Sequence, residues 1–409
     1  MLNLIWAGFF IFALIAAIVQ SLNGNNEIWK QIVDGLFESA DTGFRVALGL
    51  TGVLCFWLGI LKIAEKSGLT EALAKLLKPF FRAVMPDLKP NSPAFGSIVM
   101  NVAANVLGLD NAATPMGIKA MEQMQKENIY QDKASNSQIL FMVLNSSSLT
   151  LLPVTILMYR YQFGSGNPAL VFIPILLATS VSTLAGFLAT ALWLRINIFR
   201  PVILAYLGAG GLLIGLIGYL FAGLDFADKT TAAMIMSNSL LFGLVAFFIL
   251  WGLLKKQNVY ENFIQGAKDG FTIAVQIIPY LVAMLAAIGI FRAAGGIDLL
   301  CSALEKLLNH WNIDYEFVKA VPTALMKPLS GSGARAMMLD TFKAYGVDSF
   351  ASFAASVVQG STETTFYVLA VYFGAVKISK TGAALPLALF ADICGIIAAI
   401  SLAYVFYQE

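Results

Sequence analysis

Stretches such as "MLNLIWAGFFIFALIAAIVQ", 20 residues without a charge, set the first limit on this chain: a helix of that length spans a bilayer, and water will not dissolve many of them in one fold. Roughly nine such spans are expected, near 2–22, 43–64, 138–160, 168–194, 201–223, 232–254, 271–292, 349–375 and 384–407. Composition agrees, since 58% of the 409 residues are hydrophobic and only 12% are charged, too few to cover a soluble globule. The expected fold is an all-α polytopic membrane protein. The start lacks the basic region of a signal peptide and reads as a retained first helix.

Between the spans lie four amphipathic stretches, near 27–41, 69–84, 258–269 and 297–309, expected at the membrane interface. Two further segments, "AFGSIVMNVAANVLGLDNAATPMGIKAM" (94–121) and "EFVKAVPTALMKPLSGSGARAMMLDTFKAY" (316–345), are apolar but interrupted by Gly, Pro, Asn and Ser, and read as broken or re-entrant.

These interruptions expose an internal repeat. "IWKQIVDGLFESADTGFRVALGL" is answered by "VYENFIQGAKDGFTIAVQI", "LGILKIAEKSGLTEALAKLL" by "AIGIFRAAGGIDLLCSALEKLL", and "LNSSSLTLLPV" by "VQGSTETTFYV". The expected organisation is a first repeat over 1–200, a connecting helix over 201–230 and a second repeat over 231–409. Four spans plus one connector is an odd number, so the second repeat enters the bilayer upside down. Basic residues agree: 65–93 carries Lys66, Lys75, Lys78, Arg82 and Lys89, while its counterpart 293–315 has only Lys306. The expected location is the bacterial cytoplasmic (inner) membrane, with the amino terminus cytoplasmic and the carboxy terminus external.

Polar residues at membrane depth need protein or water beside them. In the first broken segment these are Asn101, Asn105, Asp110 and Asn111; in the second, Ser330 and Ser332, flanked by Lys327 and Arg335. Asn145, Ser146 and Ser147 occupy one polar-tipped span, and Gln359, Ser361, Thr362, Glu363 and Thr364 its counterpart. A carboxylate at the middle of a spanning helix costs on the order of 2.5–3.5 kcal/mol, so Glu363 is expected to face a hydrophilic pocket where the two broken segments and the two polar spans converge. These residues are the candidate substrate-binding set, and Glu363 and Asp110 the candidate ion-coupling pair. The competing reading pairs Glu363 with Lys327 or Arg335 in a structural ion pair. Lys62 and Arg292, in matching positions, are expected to snorkel to the interface, and Asp392 to hydrogen-bond within the last helix bundle.

Several classes of function fall away. The 26 basic residues against 24 acidic give no basic surface for nucleic acid. One histidine and three scattered cysteines suit neither a zinc site nor a haem, so no metal or cofactor is expected. "GSGARAMM" lacks the lysine and hydroxyl of a phosphate loop, and no histidine lies near Ser330 or Ser332 to activate a nucleophile, so an enzyme is not expected.

"NVAANVLGLDNAATPMGIKAMEQMQ", "PLSGSGARAM" and "VVQGSTETTFYVLAVYFGAV" closely resemble signatures of the spore maturation protein A and B family of nucleoside-recognition (Gate) domain membrane proteins, with the A-like part first and the B-like part after it. Members are similar to portions of concentrative nucleoside transporters and of the membrane part of ferrous-iron transporters. The resemblance implies a secondary transporter or exporter of a small polar or anionic solute, or a non-transporting scaffold in envelope maturation. Membrane lipids and the solute are the expected partners, and a homo-oligomer is compatible with them.

Overall fold

The computed structural model describes residues 2–222, 226–311 and 314–407; the side chains of residues 2, 110–112, 213–214, 217–222 and 226–230 are outside the description. In chain order the helices are α1 (Leu2–Leu22), α2 (Ile28–Gly49), α3 (Thr51–Lys66), α4 (Leu69–Val84), α5 (Ala94–Val106), α6 (Asp110–Glu127), α7 (Asn136–Ser147), α8 (Val154–Gln162) and α9 (Phe172–Trp193). There follow α10 (Pro201–Ala222), α11 (Phe226–Leu254), α12 (Val259–Ala293), α13 (Gly296–His310), α14 (Val321–Met326), α15 (Gly331–Tyr345), α16 (Phe350–Gly360), α17 (Thr365–Ala375) and α18 (Ala384–Phe406). No strand forms among the described residues, and the protein is an all-α polytopic membrane protein.

Three features of the sequence reading change. The stretches 27–41 and 258–269 are not separate interfacial helices. Each continues into the span that follows, giving α2 and α3 with a 41° bend between them, and α12 as one helix of 35 residues. Their charges gather toward one end of an unbroken helical period, so a hydropathy window splits what the backbone does not. Secondly, the spans expected at 138–160 and 349–375 are each interrupted, the first between α7 and α8 and the second between α16 and α17. Thirdly, only some of the expected spans are single helices: among the described residues five helices are long and apolar enough to cross alone, and the bent α2–α3 pair is the sixth.

The broken segments resolve as hairpins. α5 and α6 pack on each other across a reversal at 107–109, and α14 and α15 across one at 327–330. Matching corners precede both hairpins: Gly68 before α4 and Gly295 before α13 stand at φ +75° and +82°, a left-handed conformation that a side chain resists.

The two long arms, α2–α3 and α12, lie against each other in antiparallel fashion. A Cβ on Gly35 would meet Gly289, one on Gly43 would meet Val282, and one on Gly270 would meet Cys55, so close contacts run in opposite directions along the two arms. Pairing the arms by the sequence repeat makes Gly35 the counterpart of Gly266 and Gly59 the counterpart of Gly289. The Gly35–Gly289 approach is accordingly mirrored where Gly266 abuts Leu58 and Gly59 abuts Phe263. Equivalent residues meeting head to tail are what a twofold axis in the membrane plane produces, and the repeats are inverted. Small residues permit this approach, since in lipid close packing replaces the hydrophobic drive between helices.

Two outcomes are expected. A methyl on Gly266 would overlap the Leu58 carbonyl oxygen, so Gly266→Ala should destabilise the protein by about 1–3 kcal/mol in a detergent melt, whereas Gly52→Ala, with open space around it, should not. In a cysteine-free background, exposed Asn91→Cys, after α4, and His310→Cys, the last residue of α13, mark the far ends of equivalent helices of inverted repeats. An impermeant maleimide should label them from opposite sides of the membrane.

Candidate functional site

The interrupted helices meet the hairpin tips at one crossing, and their loose backbone ends bond to one another there. The Leu151 amide donates to the Val106 carbonyl at 2.9 Å, tying the first hairpin to the first interrupted helix. In the second half the Phe366 amide donates to the Pro328 carbonyl at 3.0 Å. The Glu363 amide donates to the Ser146 carbonyl at 2.7 Å and joins the two interruptions. Gly108, at φ +74°, lies where a Cβ would stand 3.1 Å from the Leu152 carbonyl oxygen, so this reversal needs a glycine both for its conformation and for its room.

Side chains reinforce the crossing. The Thr365 hydroxyl donates to Asp392 at 2.6 Å, which leaves the Ser146 hydroxyl as donor to Thr365. Fully buried Asn101 donates to the Ala113 carbonyl at 2.8 Å and to the Tyr372 hydroxyl at 3.1 Å. Asn145 accepts from Asn105 at 2.9 Å and from Tyr372 at 3.3 Å, and donates to the Phe141 carbonyl at 2.9 Å. Tyr372 therefore links the second half to both α5 and α7. Its role is invisible in the sequence, because only the partners distinguish a working phenol.

The structure divides the expected substrate residues. Asn105, Asn145 and Ser146 bond within this network, as does the Asn101 amide nitrogen, while the buried Asn101 side-chain oxygen has no hydrogen-bond partner among the described residues. Buried Ser147 and Ser361 bond to carbonyls of their own helices. Ser330 caps α15 by accepting from the Gly333 amide at 3.0 Å, with Ser332 at 3.3 Å. The side chains of Asp110 and Asn111 lie outside the described residues.

Gln359, Thr362, Glu363 and Thr364 do line a common cleft, of about 750 Å³ empty volume, together with Lys327 and Arg335. Half-buried Glu363 forms no ion pair among the described residues, so the structural-pair reading is not what the geometry displays. Arg335 lies 5.8 Å from the centre of the Tyr159 ring. A second cleft, of about 1050 Å³, shares Gly108, Tyr159 and Arg335 with the first and continues past Lys62, Glu65 and Asp269. Three half-helices, α8, α15 and α17, begin at this cleft through Val154, Gly331 and Thr364. Helix starts carry partial positive charge, and with two cations beside them they favour a negatively charged or strongly polar guest.

Two ion pairs, each with one buried member, lie away from the cleft. Arg160, 1% exposed, donates to Asp348 at 2.9 Å and to the Val347 carbonyl at 3.1 Å. Arg292 does not snorkel: it pairs with Asp340 at 2.6 Å, while Lys62 pairs with Glu65 at 3.0 Å. At the end of an apolar run a basic residue looks like an interface anchor until its acid arrives from a distant segment.

A family model described as Gate, nucleoside recognition, matches residues 47–161 and 274–379. The two stretches enclose both hairpins and both interrupted helices. The chain is 38% identical over 188 residues to spore maturation protein A of Bacillus subtilis (strain 168), which spans 46% of this chain and 93% of that protein. It is 47% identical over 157 residues to spore maturation protein B of the same organism, 38% of this chain and 86% of that one. These two relatives match different parts of the chain. No solved structure matches.

Removing the Tyr372 hydroxyl leaves Asn101 and Asn145 each short of one buried partner. Tyr372→Phe should cost about 1–3 kcal/mol in a thermal melt, while Tyr367→Phe, at a side chain 60% exposed, should be silent.

Proposed function

We propose, from the premise that this chain belongs to the Gate (nucleoside recognition) family and joins a part similar to spore maturation protein A to one similar to spore maturation protein B, that it is a secondary carrier of a small anionic or strongly polar solute. The observation that carries this reading is the cleft at the crossing, where Lys327, Arg335 and Glu363 gather beside the starts of three half-helices. A site built from interrupted helices inside an inverted repeat is how a membrane protein presents polar backbone to a solute without exposing it to lipid. Rocking of 1–200 against 231–409, with 201–230 between them, would open the cleft alternately to each side. Arg335 and Lys327 bind the anionic part, and Glu363 takes a cationic or hydrogen-bond-donating part or a coupling ion. The carrier belongs in the bacterial inner membrane with its amino terminus inside, and it performs no covalent chemistry.

The family description supports including nucleosides among the solutes tested, beside amino acids, dipicolinate-like acids and cell-wall precursors. A binder raises the melting temperature of the purified protein by mass action, whatever its direction of movement. For a solute found in this way, proteoliposomes should show flux that Glu363→Gln lowers about tenfold to a hundredfold, the effect of one charge-assisted hydrogen bond, with the melting temperature of the empty protein retained. Flux equal to the parent's would remove Glu363 from the site. A protein that binds none of the panel and moves none of it would favour the scaffold reading that the relatives' spore maturation names allow.

A further inference from the structure

Asp392 lies in the middle of α18 and is 1% exposed. One carboxylate oxygen, Oδ2, accepts from Thr365; the other, Oδ1, has no hydrogen-bond partner among the described residues. The Thr362 hydroxyl, in a side chain 3% exposed, is likewise without a hydrogen bond of good geometry, although it faces the same carboxylate. Packing fixes that position independently. A Cβ on Gly395, one turn along α18 from Asp392, would stand 2.7 Å from Thr362 Cγ2.

A carboxylate buried in this way, with one oxygen unpartnered and no ion pair among the described residues, is costly in a dry interior. A proton relieves that cost. Placed on Oδ1, it removes the buried negative charge and can be donated to the Thr362 oxygen. A bound sodium or calcium ion would need several more oxygens than these two. We propose that Asp392 is a proton-binding residue which takes a proton onto Oδ1, shares it with Thr362, and thereby controls how the crossing sits against α18. The proton comes from water in the cleft that Thr362 lines. An O–H bond forms at Oδ1, the carboxylate becomes a neutral acid, and the proton returns to water on release.

The charges facing Asp392 are Lys327 from the second hairpin tip, which favours the ionised form, and Glu363 from the adjacent interruption, which opposes it. Of the other elements packed on α18, α7, α9 and α16 carry no charged residue, α17 brings Tyr367 and Tyr372, and α11 carries none from Thr231 onward. Through Thr365 and Ser146 the carboxylate is hydrogen-bonded to both interruptions. Gain or loss of one proton thus changes the tie between α18 and the crossing. That this tie moves a carrier rests on the function proposed above; the proton site does not.

The test uses the full chain in lipid discs and needs no solute. Infrared difference spectra across a pH series should show the carbonyl band of a buried carboxylic acid that titrates, and Asp392→Asn should remove it. Thr362→Val, which leaves the acid in place, should shift the titration midpoint, because the hydroxyl that faces the carboxylate is lost. A band that persists in Asp392→Asn overturns the proposal, and so does a midpoint that stays where it was in Thr362→Val, since the hydroxyl would then take no part in the site. In a cysteine-free background, maleimide labelling of Thr155→Cys in the cleft, divided by that of exposed Asn91→Cys, should change several-fold across the same midpoint and lose that change with Asp392→Asn. A flat ratio in the parent overturns the control of the crossing. Should the acid titrate as described while no solute is ever moved, the carrier reading fails and the proton site stands.

Discussion

A backbone amide or carbonyl left without a partner inside a bilayer costs several kcal/mol, and this chain interrupts its own helices repeatedly. The interruptions survive because they meet. Four helices end and four begin around one crossing, where the Leu151–Val106, Phe366–Pro328 and Glu363–Ser146 hydrogen bonds join backbone groups from different segments. The hairpins, the close glycine contacts of the long arms and the buried amides around Tyr372 hold these strands of backbone within reach. A cleft lined by helix starts is the by-product of that solution. Amides freed from helical bonding are available to a guest.

The architecture was readable in the sequence wherever it depends on a pattern repeated twice. The matching arms, the two Gly- and Pro-broken hairpins and the two polar spans are each present in both halves, and the inverted relation follows from the connector and the unequal basic loops. Reading failed where a local signal competes with a continuous one. Charged residues such as Glu38, Asp41 and Arg45 make the start of the first arm resemble an interfacial helix, although no Pro or other breaker separates it from the span. Conversely, Leu and Val carried the hydropathy of 138–160 across a break that Pro153 marks. Glu363 was legible because an acid among apolar residues has few places to go. Tyr372, Arg160 and the Arg292–Asp340 pair were not, because each depends on a partner more than 40 residues away.

The duplicated halves have also diverged in what they do at the crossing. The repeat sets Asn145 opposite Gln359 and Leu149 opposite Glu363. Asn145 is saturated by structural bonds, whereas Gln359 lines the cleft with its side-chain oxygen unpaired. The first half thus supplies most of the rigid polar network, and the second supplies the charged groups that line the cleft. Residue type alone cannot separate these roles, since a buried amide serves either equally well.

This divergence bears on how an inverted repeat could alternate. Were the halves identical, exchanging their conformations would give two states of equal energy facing opposite sides. The Leu151–Val106 and Phe366–Pro328 bonds respect that symmetry; the bond from Thr365 to Asp392 does not. The mirrored approaches of Gly186 to Ala391 and of Gly395 to Ser182 place Thr183 opposite Asp392, and the Thr183 hydroxyl donates to the Ser147 carbonyl at 3.3 Å. One half is therefore tied to its outer helix through an acid and the other through a hydroxyl. An acid's tie changes when it gains or loses a proton, as a hydroxyl's does not. The energy difference between the two exchanged states then depends on the occupancy of one carboxylate, and a ligand that binds the two states unequally is what shifts such an equilibrium. The broken symmetry, more than the symmetry, is what would let the proton choose which way the cleft faces.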